Sequence, residues 1–585
     1  MDEFTPGREP LQIVEIQQDL CALTYGVAPC QAALGVTGTA KCYNTLRTCQ
    51  DRENFDPQAP LVLRFVKPLQ ALPKWLNAIP SVQSISTEPT ELNIGGGSKD
   101  RGPLGNRAVA RVTFQDHAHS DNLVDPYLAE RDFDPMKRST FWSKWRARNP
   151  FYQNRVLVIY DGYLGQALAE MSKRTYLIDR ITGPDSGGRV QITAKDVLKL
   201  ADDDRAQAPE LSPGELAADV DAAVTGFDVV RAVEADYPES GTLRIGDEVM
   251  TYTGRSETAG VVTFTGVARG TDGTDAEPHS AEDRVQLCLR YTDEPVWRVA
   301  HDLLITFGRV PAGFIDLAAW DAEGQFWLSQ FNVTALITEP TGVNKLLGEL
   351  SEQALFYIWW DERASLIQLR AVKPEVDAVP SITDRDNIVE GSIGISEDPK
   401  QRVSQVWVFW GLRDPTRRLN DEGNYKQIRI AADLEAEADR EYGEKRIRKV
   451  FARWIDKQAT AFNLAVRLLN RYRDTPAFLS LKLDAKDRAL WTGDPAQVTT
   501  RLRVDELGNE VAEIWQVISA EESVAGEVAT YKLQKSEFGE GRFFFIQAND
   551  APSFAEASEE QKRRGGWISR ADGTMPDGSE GYVLI

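Results

Sequence analysis

The chain alternates stretches of period two with a few of helical period. Leu61–Val66 alternates apolar and polar residues and stops at Lys67-Pro68, which predicts a half-buried strand. Ala108–Phe114 and Arg155–Tyr160 predict further strands, and Tyr176–Ile181 and Arg189–Thr193 flank Gly187-Gly188 as a hairpin. Leu164–Met171 has helix-like spacing, Asp196–Leu200 begins a short helix, and the glycine-rich 94–105 predicts an exposed loop. Gly241–Tyr252 and Val261–Arg269 alternate again between glycines and predict a compact all-β insert. Val343–Glu352 predicts a helix, and Phe356–Trp360 and Leu366–Val372 form a hairpin about Asp361-Glu362. Val403–Trp410 is a mostly apolar strand suited to burial on both faces. In Asp456–Tyr472, Ala461, Leu464, Ala465, Leu468 and Tyr472 share one helical face, with Asp456 as N-cap and Asp474-Thr475-Pro476 as the stop.

These elements predict a mainly β, multidomain chain with α+β portions. Residues 1–60 are a cysteine-rich module and 61–202 a first β-barrel or sandwich domain. The acidic, proline-containing 202–215 leads into a linker and small all-β insert over 203–295, and 296–375 is an α+β domain. Residues 376–545 repeat the order of the first domain, strands then one helix then strands, and 546–585 form a C-terminal tail with a small β element in 565–585. A length of 585 residues suits several cores, and 42% apolar with 27% charged residues is ordinary for a globular protein.

The formal charge of −22 argues against sequence-independent binding to phosphate backbone, which needs clustered Lys and Arg. It fits a surface that repels DNA, or simple solubility. No apolar run approaches the ~18–20 residues of a membrane span, and Met1-Asp2-Glu3-Phe4 lacks a signal-peptide pattern. The expectation is synthesis in a cytoplasm, where thiols stay reduced.

That expectation bears on the cysteines. Four of the five, Cys21, Cys30, Cys42 and Cys49, are spaced C-x8-C-x11-C-x6-C, while Cys288 sits alone in an apolar stretch and reads as core. Four nearby thiols in a reduced compartment suit zinc or an iron–sulfur cluster. No C-x2–4-C zinc knuckle is present, and Gly26, Pro29, Gly35 and Gly38 would let the loops bend around a wider centre. Two disulfides, or free buried thiols, are the competing readings.

The stretch Cys21-Ala-Leu-Thr-Tyr-Gly-Val-Ala-Pro-Cys30, with Lys41-Cys42-Tyr43-Asn44-Thr45 and Thr48-Cys49-Gln50-Asp51, resembles the iron–sulfur module of tail-tip proteins of long, flexible-tailed phages and gene transfer agents. The match covers about the first 55 residues. It implies a [4Fe–4S] cluster on Cys21, Cys30, Cys42 and Cys49, with zinc as the alternative. More diffusely, Leu350-Ser-Glu-Gln-Ala354, Tyr357-Ile-Trp-Trp-Asp361 and Val403-Ser-Gln-Val-Trp-Val-Phe-Trp410 are similar to tail and baseplate hub proteins, in which two tail-tube-like β-barrel domains occur per chain. A homotrimer of such chains makes a ring joining the tail tube to a central fibre or spike. The implied partners are distal tail and tail-tube proteins and the tape measure protein, with phage DNA passing transiently. The implied location is the virion tail tip, after synthesis in the host cytoplasm.

Enzyme chemistry is not expected. There are only four histidines, and no phosphate-binding loop, nucleophile elbow or H-E-x-x-H pair. His117 and His119, beside Asp116 and Asp121, imitate a metal site but read as a polar loop; His279 follows a turn proline, and His301 precedes Asp302 at an expected helix start. The carboxylate pairs Asp132/Asp134 and Asp361/Glu362 are no more than chance among 89 acids. The alternatives to a structural hub are a receptor- or carbohydrate-binding tail protein, using the β insert and exposed aromatics, and a zinc-dependent cell-wall hydrolase.

Overall fold

Seven alternating strands build the first β-domain: β1 (Pro10–Leu20), β2 (Ala59–Val66), β3 (Val82–Glu88), β4 (Val109–Gln115), β5 (Val156–Tyr163), β6 (Ser172–Thr182) and β7 (Arg189–Lys195). In this computed structural model they hydrogen-bond in the order β2-β1-β5-β6-β7-β4-β3. The edges meet where Val66 and Arg64 of β2 pair with Ile79, just before β3 (3.0 and 2.8 Å), so the sheet closes on itself. Its inward residues, including Val14, Ile16, Phe65, Val112, Phe114, Ile159 and Ile192, form one core. Helix α1 (Phe141–Arg148) adds the fully buried Trp142 and Trp145 to that core, Trp142 stacking on Phe65 at 5.4 Å. The structure describes residues 3–5, 7–94, 102, 104–131, 134, 137–202, 205–373, 379–438, 440–536 and the two-residue strands Phe544–Phe545 and Gly565–Gly566.

Two expectations change here. β1 belongs to the barrel, pairing with β2 from Ile13↔Val66 to Leu20↔Ala59, so the module expected over 1–60 is an insertion between two barrel strands. Leu11 and Ile13 on one face of β1 and Val14 and Ile16 on the other each enter a core, and this burial on both faces is what puts β1 in the sheet. The helix of this domain is α1, whereas Leu164–Met171 yields only a short 3-10 turn at Leu168–Glu170.

The insert over roughly 208–288 is all β, as expected, in two small sheets. Phe227, Tyr237, Tyr252 and Phe264 pack together as its core, with ring centroids 4.7–5.6 Å apart. Its aromatic residues are therefore interior, and an exposed aromatic binding surface is not what they form. Cys288 is buried, as expected, and burial pushes its thiol up to about 12.

The described residues from 289 to 536 share two cores. The helices Val296–Asp302, Leu317–Trp327 and Val343–Ala354 pack with the hairpin Phe356–Asp361/Leu366–Ala371, and with the strands Gln405–Leu412 and Ile447–Ala452 and helix Gln458–Tyr472. The strands Ser381–Thr383, Gly394–Glu397, Ala477–Asp484, Pro495–Val504, Glu510–Val524 and Val528–Lys535 form a six-stranded sheet around a separate core. The described residues of 379–536 therefore divide between two cores, because the helix presents its apolar face to the central layer. Lys457, rather than Asp456, precedes that helix. Trp407 stays half-buried on the outward face of Gln405–Leu412, so burial there is not equal on both faces. His301 lies near the end of its helix, which continues as a widened turn over Leu303–Phe307.

The tip of the 356–371 hairpin wedges between the two large β-domains. Thr175 of β6 donates its backbone N–H to Glu362 (2.9 Å), and Trp360 Nε1 donates to the Thr175 carbonyl (2.8 Å). On the other side Arg363 covers Trp491 at 3.4 Å and pairs with Glu522 at 3.3 Å. The expected 565–585 element lies outside the described residues save for Gly565–Gly566, as do Asp132 and much of the 94–105 loop.

Candidate metal centre

The loop joining β1 to β2 carries all four clustered cysteines. Cys21 follows the last residue of β1, so the first ligand candidate is fixed by the sheet. Its backbone N–H donates to the Asn44 carbonyl (2.8 Å), and Asn44 Nδ2 returns a bond to the Cys21 carbonyl (3.1 Å). Cys42 Sγ lies 3.4 Å from Asn44 Oδ1, and Cys49 Sγ accepts from the Asp51 backbone N–H at 3.4 Å. Asp51 also accepts from the backbone N–H of Gln31, next to Cys30 (2.7 Å). Asn44 and Asp51 thus draw the two halves of the motif together, C-x8-C on one side and C-x6-C on the other.

The turns need their small residues. Gly26 (φ +73°) and Gly35 (φ +82°) are left-handed, and a Cβ on Gly38 would meet the Gln50 side chain at 2.4 Å. Gln50 is the hub of the loop's hydrogen bonds: it accepts from Tyr25 Oη (2.7 Å) and Thr37 Oγ1 (2.8 Å) and donates to the Ala40 carbonyl (2.7 Å).

None of the four thiols is in a disulfide. Burial raises the Cys42 thiol above its usual range, and the potential of Cys49, Cys30 and Cys21 raises it further. Cys49 is raised by burial and by Cys21, Cys30 and Asp51. The four sulfurs therefore lie within one another's electrostatic reach, where four thiolates without a cation would repel. Among the described residues, no three His, Cys, Asp or Glu side chains converge closely enough to hold a single ion. Four unbridged thiols are a donor set that either a zinc ion or an iron–sulfur cluster accepts.

The loop buries little of its own. Between residues 21 and 58 only Cys21, Tyr25, Ala32 and Thr45 are buried, while Val27, Leu34 and Val36 are exposed. What holds it is the barrel. Arg131 pairs through Nε and Nη2 with buried Asp125 (2.8 and 3.0 Å), and donates to the carbonyls of Lys41 (2.7 Å) and Cys42 (3.1 Å). The guanidinium carbons of Arg131 and Arg148 lie 4.1 and 3.8 Å from the centre of the Tyr43 ring. Two guanidinium groups that close cannot share one face, so Tyr43 is sandwiched between them. Lys41 pairs with Glu130 (2.6 Å) and lies 4.9 Å above the Tyr127 ring.

Tyr43 and Asn44 belong to the Lys-Cys-Tyr-Asn-Thr stretch that carries the sequence resemblance. Nothing in the sequence points to Arg131, which contacts it from 90 residues away, or to Arg148, which lies further still along the chain.

The histidines all have other engagements. His117 stacks on Phe141 (5.6 Å), and His119 accepts from the Asp121 backbone N–H (3.0 Å). Asp116 is occupied by Thr140 and the Trp142 N–H, and Asp121 by Lys144 and Arg148 at 2.7 Å each. His279 meets Glu248 at 2.9 Å inside the insert, and His301 lies edge-on to Trp320. Of the carboxylate pair Asp361/Glu362, Asp361 accepts from the Arg363 and Ala364 N–H groups, and Glu362 is buried in the inter-domain wedge.

No family model and no curated protein matches the chain. Among solved structures it is similar to the tail protein from Neisseria meningitidis MC58, at TM-score 0.36 and 11% identity over 77% of this chain and 97% of that one. The 43 kDa tail protein of prophage MuSo2 from Shewanella oneidensis gives 0.35 and 11% over 78% and 98%. A chain of a native gene transfer agent virion gives 0.29 and 10% over 56% and 85%. Likenesses this distant carry no functional weight.

Proposed function

We propose that this chain is a structural hub of a phage-type tail tip. Three copies would form a ring joining the tail tube to a central fibre or spike, in contact with distal tail, tail-tube and tape measure proteins. Cys21, Cys30, Cys42 and Cys49 would hold a [4Fe–4S] cluster. The observation that carries this reading is the gathering of four unbridged thiols into one barrel loop that has almost no core of its own.

Bound there, the cluster supplies covalent iron–thiolate ties among four points of the loop. The chain's own groups do the rest. Asn44 and Asp51 set the loop conformation around Cys21, Cys42, Cys49 and Cys30, and the Asp51 N–H donates to the Cys49 sulfur. Such N–H···S bonds favour the thiolate. A structural part for the cluster accords with the loop's small size, since so short a segment cannot bury enough apolar surface alone. The strongly negative chain would let DNA pass a central channel without sticking.

Protein purified without oxygen should be brown, with broad visible absorbance that bleaches on reduction, and should sediment as three chains with threefold particles in electron micrographs. A colourless monomer would refute both halves of the proposal. A colourless trimer would remove the cluster alone, and a brown monomer the ring alone.

A further inference from the structure

The Arg131–Tyr43–Arg148 stack has two ends. One reaches the cysteine loop: Tyr43 adjoins Cys42, and Arg131 donates to the Cys42 carbonyl. The other reaches the barrel interior, because Arg148 is the last residue of α1, the helix that carries Trp142 and Trp145. Arg148 and Lys144 of α1 are both tied to Asp121 at 2.7 Å, and Asp121 is buried. Trp145 Nε1 donates to Gln18 Oε1 at 2.7 Å, and Gln18 lies on β1, three residues before Cys21. Helix α1 is thus connected to the cysteine loop twice, through the Tyr43 sandwich and through β1.

We propose that Arg131 and Arg148 are positioning residues for the cysteine centre, and that through Tyr43 they link the filling of that centre to the order of helix α1. This rests on the cluster reading above. With the centre filled, Cys42 is fixed, Tyr43 is held in register, and both guanidinium groups keep their ring. With the centre empty, the segment around Cys42 has lost its metal anchor. The stack then loosens, and α1 loses one of its two connections to the cysteine loop while Arg148 and Lys144 keep Asp121. The short length of α1 makes it sensitive, because an eight-residue helix has little stability apart from its tertiary contacts.

The test is hydrogen exchange of the α1 amides in the full-length protein, as purified without oxygen and after iron is stripped with a chelator. Iron and acid-labile sulfide are assayed in parallel. Stripping should speed α1 exchange roughly tenfold, within the ordinary range of site-to-site coupling. In Tyr43→Leu the stripped and loaded forms should exchange alike. Tyr43→Phe keeps the ring and should restore the difference, which a merely destabilising substitution at this position would not do. Wild type with iron and sulfide but equal α1 exchange before and after stripping overturns the linkage and leaves the cluster standing. Wild type with neither iron nor sulfide overturns the cluster reading and the linkage together.

Discussion

The cysteine loop and the β insert are both short excursions from larger domains, and they are stabilised in opposite ways. The insert builds its own interior from Phe227, Tyr237, Leu243, Met250, Tyr252, Val262 and Phe264. At the centre of its polar side Glu248, fully buried, accepts from Arg269 Nε (2.7 Å), Arg269 Nη2 (2.7 Å), the Gly270 and Glu277 N–H groups and His279. The cysteine loop has four buried residues, exposed apolar side chains and thiols that repel one another as thiolates. One excursion is held from inside, and the other by a neighbouring barrel and, on our proposal, by metal. A short segment that cannot close a core must borrow stability.

The largest expected break in this contrast is Glu248→Ala. It leaves Arg269 buried without its partner, so the insert should lose about 3–5 kcal/mol. Limited proteolysis should then cut within the insert while the cysteine loop keeps its wild-type pattern. Acid should separate the two excursions as well. The donors around Glu248 hold its carboxyl down at about 2. Its folded value lies below the ordinary ~4.3 of an unfolded Glu, so its contribution is present above the unfolded value and is lost as pH falls through about 2. Insert-specific exchange protection followed from neutral pH down to the acid limit would locate that loss.

A smaller effect is expected from Tyr43→Leu. It removes a ring held between two guanidinium groups, worth about 1–2 kcal/mol of docking. Proteolytic cutting in the 21–58 loop should rise while the insert is unchanged. The smallest effect sharpens the contrast from the other side. Val36 is 84% exposed, so Val36→Ser should shift stability by no more than about 0.5 kcal/mol. A buried valine of the insert, Val262, should cost roughly 2 kcal/mol or more when cut to alanine. Chemical denaturation of the pair measures both.

Much of the fold is legible in the residues. Period-two alternation locates β4, β5 and the β6–β7 hairpin, and the glycine-punctuated runs locate the insert. The four cysteines identify the candidate centre by type and spacing. Helix α1 escapes such a reading because Phe141, Trp142 and Trp145, crowded among basic residues, give no regular apolar stripe. β1 escapes it as part of the barrel because the cysteines dominate their surroundings, although Leu11, Ile13, Val14 and Ile16 are fully buried. The helix Gln458–Tyr472 is legible but its partner layer is not, since an apolar face does not say which sheet it covers. Arg131 and Arg148 are invisible for a related reason: clamping a ring from a distant loop is a property of the fold, and an arginine among 67 basic residues carries no mark of it.

On our proposal a cluster bound by Cys21, Cys30, Cys42 and Cys49 decides how the loop is held. The most direct measurement is iron and acid-labile sulfide per chain in protein purified without oxygen, with zinc determined in the same sample. The expected result is about four irons and four sulfides per chain, the content of one [4Fe–4S] cluster. One zinc without sulfide, or no metal and two disulfides by mass, would contradict it.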